Sequence, residues 1–138
     1  MIDVVKDYAD CIALRRAVFI EEQGIAEADE IDDLDDQAIH LLATEDGKPV
    51  GTARMLIDGD IGKIGRICVL PGQRGTGLGK ALVQAGLDQL RAMPDVKTAT
   101  RGAQDHALVC SAKLGFTPVG GCYDDAGIPH QDMIKPLD

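Results

Sequence analysis

The chain has 138 residues, of which 14 are basic and 23 are acidic, so its formal net charge is −9. This length is enough to bury a hydrophobic core, and we expect a single domain over residues 1–138. The acidic balance argues against nucleic acid as a partner, because binding usually requires a basic face. No apolar run reaches the roughly 18 residues of a membrane span, which argues against a membrane partner.

The four cysteines are far apart and form no CxxC pair: Cys11, Cys68, Cys110 and Cys122. This spacing argues against a zinc site or a disulfide framework, so we expect reduced thiols and no metal. The first residues, "MIDVVKDYAD", lack the apolar segment of a signal peptide. Together these features favour a cytoplasmic protein.

The first elements are a strand and a helix. "IDVV" predicts a short strand, and Asp7 is a candidate cap for the helix that follows. The helix should end near Gly24, a typical residue beyond a helix C-terminus. Its apolar positions fall on one face: Cys11, Leu14, Ala17 and Val18. Residues 27–36, "EADEIDDLDD", follow as an acidic connector without a helical apolar stripe.

Three strands should come next, joined by tight turns. "AIHLLATE" and "VGTARMLI" flank "DGKP", which is a hairpin signal. "DGD" then leads into "IGKIGRICVL". The simplest arrangement is an antiparallel meander.

The second half predicts two helices and three strands. A helix over Ala81 to Leu90 should end before Pro94, and "VKTATRGA" reads as a strand in which Val96, Thr98 and Thr100 alternate. "DHALVCSAKLG" is typical of a helix with Asp105 near its start and Gly115 after its end. "FTPVGGCY" and "HQDMIKP" complete the order β-α-β-β-β-α-β-α-β-β, a mixed α/β fold.

Three alternate glycines, Gly75, Gly77 and Gly79, stand where the third strand of the meander gives way to a helix, in "RICVLPGQRGTGLGKALV", residues 66–83. Free amides at a helix N-terminus favour an anion, so we expect a phosphate here. The NTPase pattern GxxxxGK[ST] fails at Arg74 and Ala81, and the dinucleotide pattern GxGxxG fails at Lys80.

The segment that does match a known pattern is R-G-T-G-L-G, residues 74–79. It resembles motif A of the GNAT acetyltransferase superfamily, [QR]-x-x-G-x-[GA], whose loop binds the pyrophosphate of acetyl-CoA. "SAKLGFTPVG" resembles the closing "YxKLGF" segment of that family. "RRAVFIEEQG", "IHLLA", "GAQDHA" and "GIPHQDM" are similar to its ElaA-like branch. The resemblance covers nearly the whole chain.

The resemblance implies a fold and a coenzyme site. The fold would be a central, mostly antiparallel mixed sheet of about six to seven strands flanked by helices. Backbone groups of Ile67, Cys68 and Val69 would face the pantetheine arm, where a strand splays from its neighbour. The pyrophosphate would be surrounded by one continuous segment: Gln73, Arg74, Gly75, Thr76, Gly77, Leu78, Gly79 and Lys80. Backbone amides can bind it without a large positive net charge.

Acetyl transfer to an amine needs a neutral amine, a polarised thioester carbonyl and protonation of the leaving thiolate. Amides around Cys68 and Val69 would polarise the carbonyl. The candidates for removing the amine's proton are Glu21, Glu22, His40 and His130. The alternative for Glu22 is a solvated carboxylate at a helix end, and for His40 it is a hydrogen-bonded, partly buried histidine.

The sequence departs from the family pattern at the residue expected to act as general acid. Relatives usually have tyrosine at the position of Ser111, and a serine hydroxyl is shorter and less acidic. Protonation through a water molecule or unassisted departure of the thiolate is the first expectation. Tyr123, which also looks like a family residue, is the second.

These observations lead to one function and one alternative. The function is N-acetyl transfer from acetyl-CoA to a primary amine of a small molecule or peptide. The alternative, motivated by Ser111, is an acyl-CoA-binding module with little activity. The acidic connector either attracts a cationic acceptor or is a solvated loop. The expected partners are acetyl-CoA and the amine, and a homodimer stays open.

Overall fold

The computed structural model describes residues 1–104, 108–125 and 127–137, and of Val109 and Cys110 only the backbone. The helix start predicted at Asp105 lies outside the described residues. Within them the predicted order of strands and principal helices is confirmed.

One sheet organises the described chain. Its strands lie in the order β1-β2-β3-β4-β5-β7-β6, and every neighbouring pair is antiparallel except β4 and β5. The strands are β1 (Ile2–Val5), β2 (Ile39–Glu45), β3 (Lys48–Asp58), β4 (Ile61–Val69), β5 (Thr98–Gln104), β6 (Thr117–Asp125) and β7 (Ile128–Pro136).

In the described ranges, four α-helices connect the strands: α1 (Ala9–Arg15), α2 (Glu27–Glu30), α3 (Leu78–Arg91) and α4 (Leu108–Lys113). Short 3₁₀ turns occur at Asp35–Gln37 and Pro71–Gln73. The connector thus contains helical turns that its sequence did not predict. Within the described residues, no helix is both long and apolar enough to cross a membrane.

The meander forms as its turn residues predict. Asp46 and Gly47 have φ values of 52° and 77°, so the two-residue β2–β3 turn places both residues in the left-handed region that Asp and Gly tolerate best. The N-cap residue of α1 is Tyr8, without a side-chain capping bond, and not Asp7 as predicted; Asp7 Oδ1 accepts the amide of Ala9 at 3.1 Å.

The helix after β1 changes its winding midway. Residues Arg16–Glu22 form a π-helix, and the Gln23 amide donates to the Val18 carbonyl five residues earlier. Gly24 follows at φ 75°, so the chain turns where the sequence predicts. The wider winding was not foreseen, since apolar spacing of three and four residues indicates an ordinary α-helix.

Two hydrophobic clusters pack on opposite faces of the sheet. The larger joins α3 to the strands, with Leu82, Leu87 and Leu90 fully buried. The smaller packs α1 and the π-helix against β2 and β4 through Cys11, Phe19 and other side chains. In β5 the buried residues are Ala99, Arg101 and Ala103, whereas the alternating threonines of the sequence prediction are half-buried.

Strands β4 and β5 pair only at their beginnings. Their parallel register covers Ile61–Lys63 against Thr98–Thr100 and then ends. A bulge in β4 follows, because Arg66 and Ile67 both lie opposite Ala53, and Arg66 has a φ of 49°. Bulges bend the strand that carries them. Beyond the bulge the two strands diverge, and a cleft lies between them.

Candidate active site

The cleft between β4 and β5 has a volume of about 740 Å³. Its lining comes from the π-helix, β4, the glycine loop with the start of α3, β5, and the β6–β7 hairpin. The cleft therefore brings together most of the segments that the sequence singled out. Of the predicted site residues, His40, Thr76 and Ser111 do not belong to its lining.

The glycine loop leads directly into α3. Gly77 precedes the helix at φ 87° with no side-chain cap, and the first helical bond runs from the Ala81 amide to the Gly77 carbonyl. The amides of Leu78, Gly79 and Lys80 are therefore left without acceptors in the helix. A Cβ on Gly77 would meet no protein atom within 4 Å, so the space above the loop is open to a ligand.

Thr76 supports this loop from within, since its hydroxyl donates to the Gln73 carbonyl at 2.5 Å. The other predicted phosphate-binding residues lie along the cleft: Gln73, Arg74, Gly75, Gly77, Leu78, Gly79 and Lys80. An open glycine cradle, unpaired helix amides and nearby basic side chains together fit a pyrophosphate.

Ile67, Cys68 and Val69 form the opposite wall with their backbone. They lie past the point where β5 stops pairing with β4, so that edge has no strand beside it. The Cys68 side chain turns into the smaller core cluster. Burial raises the pKa of its thiol to about 12. The contribution of Cys68 is therefore its backbone, and its thiol is not a nucleophile at neutral pH.

Glu22 faces the loop rather than the centre of the cleft. Its carboxylate accepts two hydrogen bonds from the Arg74 guanidinium, one of them of 2.6 Å to Nη2. The hydrogen bond from Arg74 lowers the pKa of the Glu22 carboxyl. A carboxylate engaged in this way is a weaker proton acceptor than a free one.

His40 and Ser111 are buried away from the cleft. The His40 ring stacks on Tyr8 with centroids 4.3 Å apart, and its Nε2 donates to the Asp35 carbonyl at 2.8 Å. Ser111 is fully buried in α4, and its Oγ has no hydrogen-bond partner among the described residues. Neither position supports a role in proton transfer.

Tyr123 and His130 meet on facing strands of the β6–β7 hairpin. They are register partners, and their rings stack with centroids 5.9 Å apart. His130 is 9% exposed, and its Nδ1 donates to the Ile128 carbonyl at 2.7 Å. That hydrogen bond places the proton of the neutral ring on Nδ1. The lone pair on Nε2 is then free to accept a hydrogen bond or a second proton.

Asp132, which sequence reasoning did not select, completes this group. Its Oδ1 accepts the Tyr123 hydroxyl at 2.6 Å. Burial and this hydrogen bond raise the pKa of Tyr123 to about 12. A signal was present in the sequence, because Asp132 and Gly102 lie within the family-like segments "GIPHQDM" and "GAQDHA". Their proximity depends on strand register.

A pair of glutamines bridges the cleft. Gln23, at the end of the π-helix, and Gln104, at the end of β5, exchange hydrogen bonds of 3.3 and 3.1 Å through their amides. Both residues line the cleft. The pair therefore joins the end of the π-helix to the end of β5 across the cleft.

The acidic connector is largely engaged in ion pairs. Three carboxylates and three arginines alternate in a closed ring, in the order Arg15, Glu30, Arg66, Asp32, Arg54 and Asp35. The distances between paired atoms run from 2.6 Å for Arg15 with Glu30 to 3.3 Å for Arg66 with Asp32. We refer to these six residues as the ion-pair ring.

The ring fastens the connector to the bulge. Arg15 and Glu30 are 1% and 3% exposed, and Arg66 is the residue at which β4 bends. Asp32 binds Arg54 through two parallel hydrogen bonds of 2.8 Å, and this partner lowers the pKa of Asp32 to about 2. Three of the seven connector carboxylates are thus paired within the ring, so attraction of a cationic acceptor stays a prediction for the other four.

No group of three or more metal-ligating side chains occurs in the described ranges. One end of the cleft presents backbone amides, and the other presents the side chains of Tyr123 and His130, with Asp132 bonded to the Tyr123 hydroxyl. An arrangement of this kind can hold a phosphate-bearing molecule at one end and offer polar side chains to a second molecule at the other.

Comparison with known proteins identifies the class. Residues 13–137 match the model of the acetyltransferase (GNAT) domain, so the chain belongs to the GNAT acetyltransferase family. It is an acyl-CoA-dependent transferase with acetyl-CoA as co-substrate, as the sequence predicts.

Individual relatives agree with this assignment. The uncharacterized N-acetyltransferase YjcF of Bacillus subtilis is 33% identical over 91% of this chain and 90% of its own. Protein ElaA of Escherichia coli is 34% identical over 91% of this chain and 85% of its own. The predicted likeness to the ElaA branch is therefore confirmed.

Solved structures share the fold over nearly the whole chain. The crystal structure of Escherichia coli ElaA superposes with a TM-score of 0.84 at 29% identity, covering 98% of this chain and 99% of that one. An acyl-CoA N-acyltransferase from Pseudomonas aeruginosa gives a TM-score of 0.85 at 27% identity, with coverage of 98% and 99%.

Proposed function

We propose that this chain, acting as one domain over residues 1–138, transfers the acetyl group of acetyl-CoA to a primary amine of a small molecule or peptide. The observation that carries the proposal is the single cleft that joins the glycine loop to Tyr123 and His130. One end can hold a pyrophosphate, and the other offers a proton acceptor. We call these the coenzyme end and the acceptor end.

At the coenzyme end, residues 73–80 would hold the pyrophosphate through the amides of the loop and of α3. Bound acetyl-CoA supplies a thioester whose carbonyl carbon is open to attack by an amine. The exposed edge of β4 at Ile67 to Val69 would donate amide hydrogen bonds to the pantetheine arm and the carbonyl oxygen. Such fixed donors stabilise developing negative charge without reorganisation.

At the acceptor end, His130 would act as the base. Its Nδ1–H donates to the Ile128 carbonyl, which fixes the tautomer of the ring. The lone pair on Nε2 is then available to accept a proton from the amine. Glu22 is the second candidate, but its carboxylate is engaged by Arg74. We therefore rank His130 first among the residues that the sequence suggested.

The experiment that tests the proposal is a screen of amines read by release of the coenzyme A thiol. The panel contains 1,4-diaminobutane, spermidine, 2-phenylethylamine, Nα-acetyl-lysine and short peptides with free N-termini. Thiol release that depends on one of these amines supports the enzyme. Tight acetyl-CoA binding with no release above the acceptor-free rate would favour the alternative, a binding module.

We further propose a cytoplasmic location and a protein that needs neither nucleic acid nor a membrane. The net charge of −9 and the dispersed cysteines support this reading. A homodimer is the assembly we would test first, by sedimentation at micromolar concentration.

A further inference from the structure

The Tyr123 hydroxyl is held in a built niche at the acceptor end. A Cβ on Gly102 would lie 2.7 Å from the Tyr123 oxygen and 3.5 Å from Asp132 Oδ1. Gly102 and Asp132 are register partners on β5 and β7. The hydroxyl therefore occupies the space that any other residue at position 102 would fill, and the sheet register brings it to the carboxylate.

The direction of the hydrogen bond inside this niche is fixed by chemistry. A tyrosine hydroxyl has one proton and two lone pairs, whereas an ionised carboxylate can only accept. At 2.6 Å the Tyr123 proton is donated to Asp132 Oδ1. What the hydroxyl offers to the cleft is a lone pair.

Charged and titratable neighbours favour the same direction. Asp132 and His130 come from β7 and Asp125 from β6, while β5 presents Gly102 and Gln104 on this side. The carboxylates attract an N–H donor and disfavour loss of the hydroxyl proton.

We propose that Asp132 is a positioning residue that turns Tyr123 into a hydrogen-bond acceptor for the N–H of the acceptor amine, and not a proton donor to the leaving thiolate. The inference rests on the proposed function and refines its acceptor end. Without this inference, Tyr123 would be assigned the role of general acid, which relatives give to a tyrosine at the position of Ser111.

The transfer then balances without a proton from Tyr123. The nitrogen of the neutral amine attacks the carbonyl carbon, the C–N bond forms, and the C–S bond breaks with its electron pair on sulfur. One N–H proton passes to His130 Nε2, while the other stays on the amide nitrogen. Coenzyme A leaves as a thiolate and takes a proton from water, and His130 returns the proton of the amine to the solvent. Departure as a thiolate is feasible because a free thiol has a pKa near 8.5.

The first test is kinetic, with 1,4-diaminobutane as the probe amine. Tyr123→Phe and Asp132→Asn should each raise the KM for the amine about tenfold, with kcat within threefold of wild type and an unchanged KM for acetyl-CoA. Asp124→Asn is the matched control, since Asp124 adjoins Tyr123 but pairs with Pro129. A hundredfold loss of kcat in Tyr123→Phe at constant amine KM, or a gain of kcat in Asp132→Asn, would overturn the proposal.

The second test removes the amine altogether. Slow hydrolysis of acetyl-CoA by water also expels the thiolate, so it needs the same acid if there is one. Hydrolysis by Tyr123→Phe at the wild-type rate supports the proposal. A large loss of that rate would show that the hydroxyl protonates sulfur, and the proposal would be wrong.

The third test does not depend on catalysis. The chain has two tyrosines, so in a Tyr8→Phe background the tyrosinate absorbance reports Tyr123 alone. Its apparent pKa should fall toward the ordinary value near 10 when Asp132→Asn is added. An unchanged titration would refute the hydrogen bond. If wild type acetylated no amine, the proposed function would fail, but this titration would still decide the pairing.

Discussion

The coenzyme end of the cleft presents mainly backbone groups, whereas the acceptor end presents mainly side chains. At the coenzyme end the working groups are mainly amides of β4, the glycine loop and α3, and the side chain of Cys68 points into the core. At the acceptor end they are side chains from separate strands, oriented by hydrogen bonds and stacking. Backbone donors are available to any chain with the same loop, whereas the choice of amine that we propose depends on the side chains of the acceptor end.

The largest effect that separates the two ends should come from Gly77→Val. A β-branched residue at φ 87° is strained, and its side chain would fill the open space above the loop. We expect acetyl-CoA affinity to fall by at least about a hundredfold, or roughly 2.7 kcal/mol, in calorimetry.

The control for Gly77→Val is Gly59→Val. Gly59 has a φ of 61° and equally open space, but it lies in the β3–β4 turn outside the cleft lining. This variant should be strained without losing affinity. Equal loss in both variants would mean that strain, and not the loop as a binding site, explains the result.

His130→Gln should produce the complementary change at the acceptor end. Glutamine keeps a polar group in place but cannot take the proton, so kcat should fall by roughly a hundredfold. The Kd for acetyl-CoA should stay the same, as measured by calorimetry beside the thiol-release assay. A fall in coenzyme affinity of the same size would contradict the separation of the two ends.

The ion-pair ring contributes Glu30 and Arg66 to the lining of the cleft, and Asp32 makes the contribution of the ring to stability depend on pH. The folded state lowers the pKa of Asp32 from an ordinary value near 3.8 to about 2. Its stabilisation is therefore complete above the unfolded value and is lost as pH falls from about 4 toward 2. The shift corresponds to ~2 kcal/mol in the free energy of unfolding.

Urea unfolding at several pH values checks this contribution. Asp32→Asn should unfold more easily than wild type at pH 6, and the difference should shrink as the pH falls below 4. Asp33→Asn, at the exposed next residue, is the control and should follow wild type. A difference between Asp32→Asn and wild type that is independent of pH would contradict an ionic origin.

The smallest effect is expected at the border of the coenzyme end. Glu22 and Arg74 are about 40% exposed, and solvent screens exposed pairs of this kind so that they contribute little to stability. Glu22→Gln should release Arg74 for the coenzyme and change the Kd for acetyl-CoA by less than about fivefold, with kcat nearly unchanged. A hundredfold fall in kcat would make Glu22, and not His130, the base.

The two ends also differ in how far the sequence predicts them. The loop follows from consecutive residues, Arg74 to Lys80, so their order alone indicates a site and its place before α3. The meander is predicted for the same reason, since Asp46-Gly47 is a local turn signal. In both cases the structure is determined by neighbours in the chain.

The acceptor end depends on contacts between distant residues. Tyr123 reaches Asp132 only because β6 and β7 pair in one register, and Gln23 meets Gln104 across 81 positions. The bulge at Arg66 lies in an ordinary run of strand-forming residues. Likewise, no local pattern shows that the acidic connector will pair with arginines from α1, β3 and β4.

The π-helix at Arg16–Glu22 forms one wall of the cleft, and that wall is sensitive to the deletion of a single residue. Its hydrogen bonds reach one residue farther back than those of an α-helix, so removing one residue would allow ordinary α winding to return. Residues on one side of the deletion would then turn by about 100° relative to the other. Glu22 and Gln23 would leave their present places while the glycine loop kept its own. A single-codon deletion in a descendant of this chain would thus open the Gln23–Gln104 bridge across the cleft and release Arg74 beside the loop.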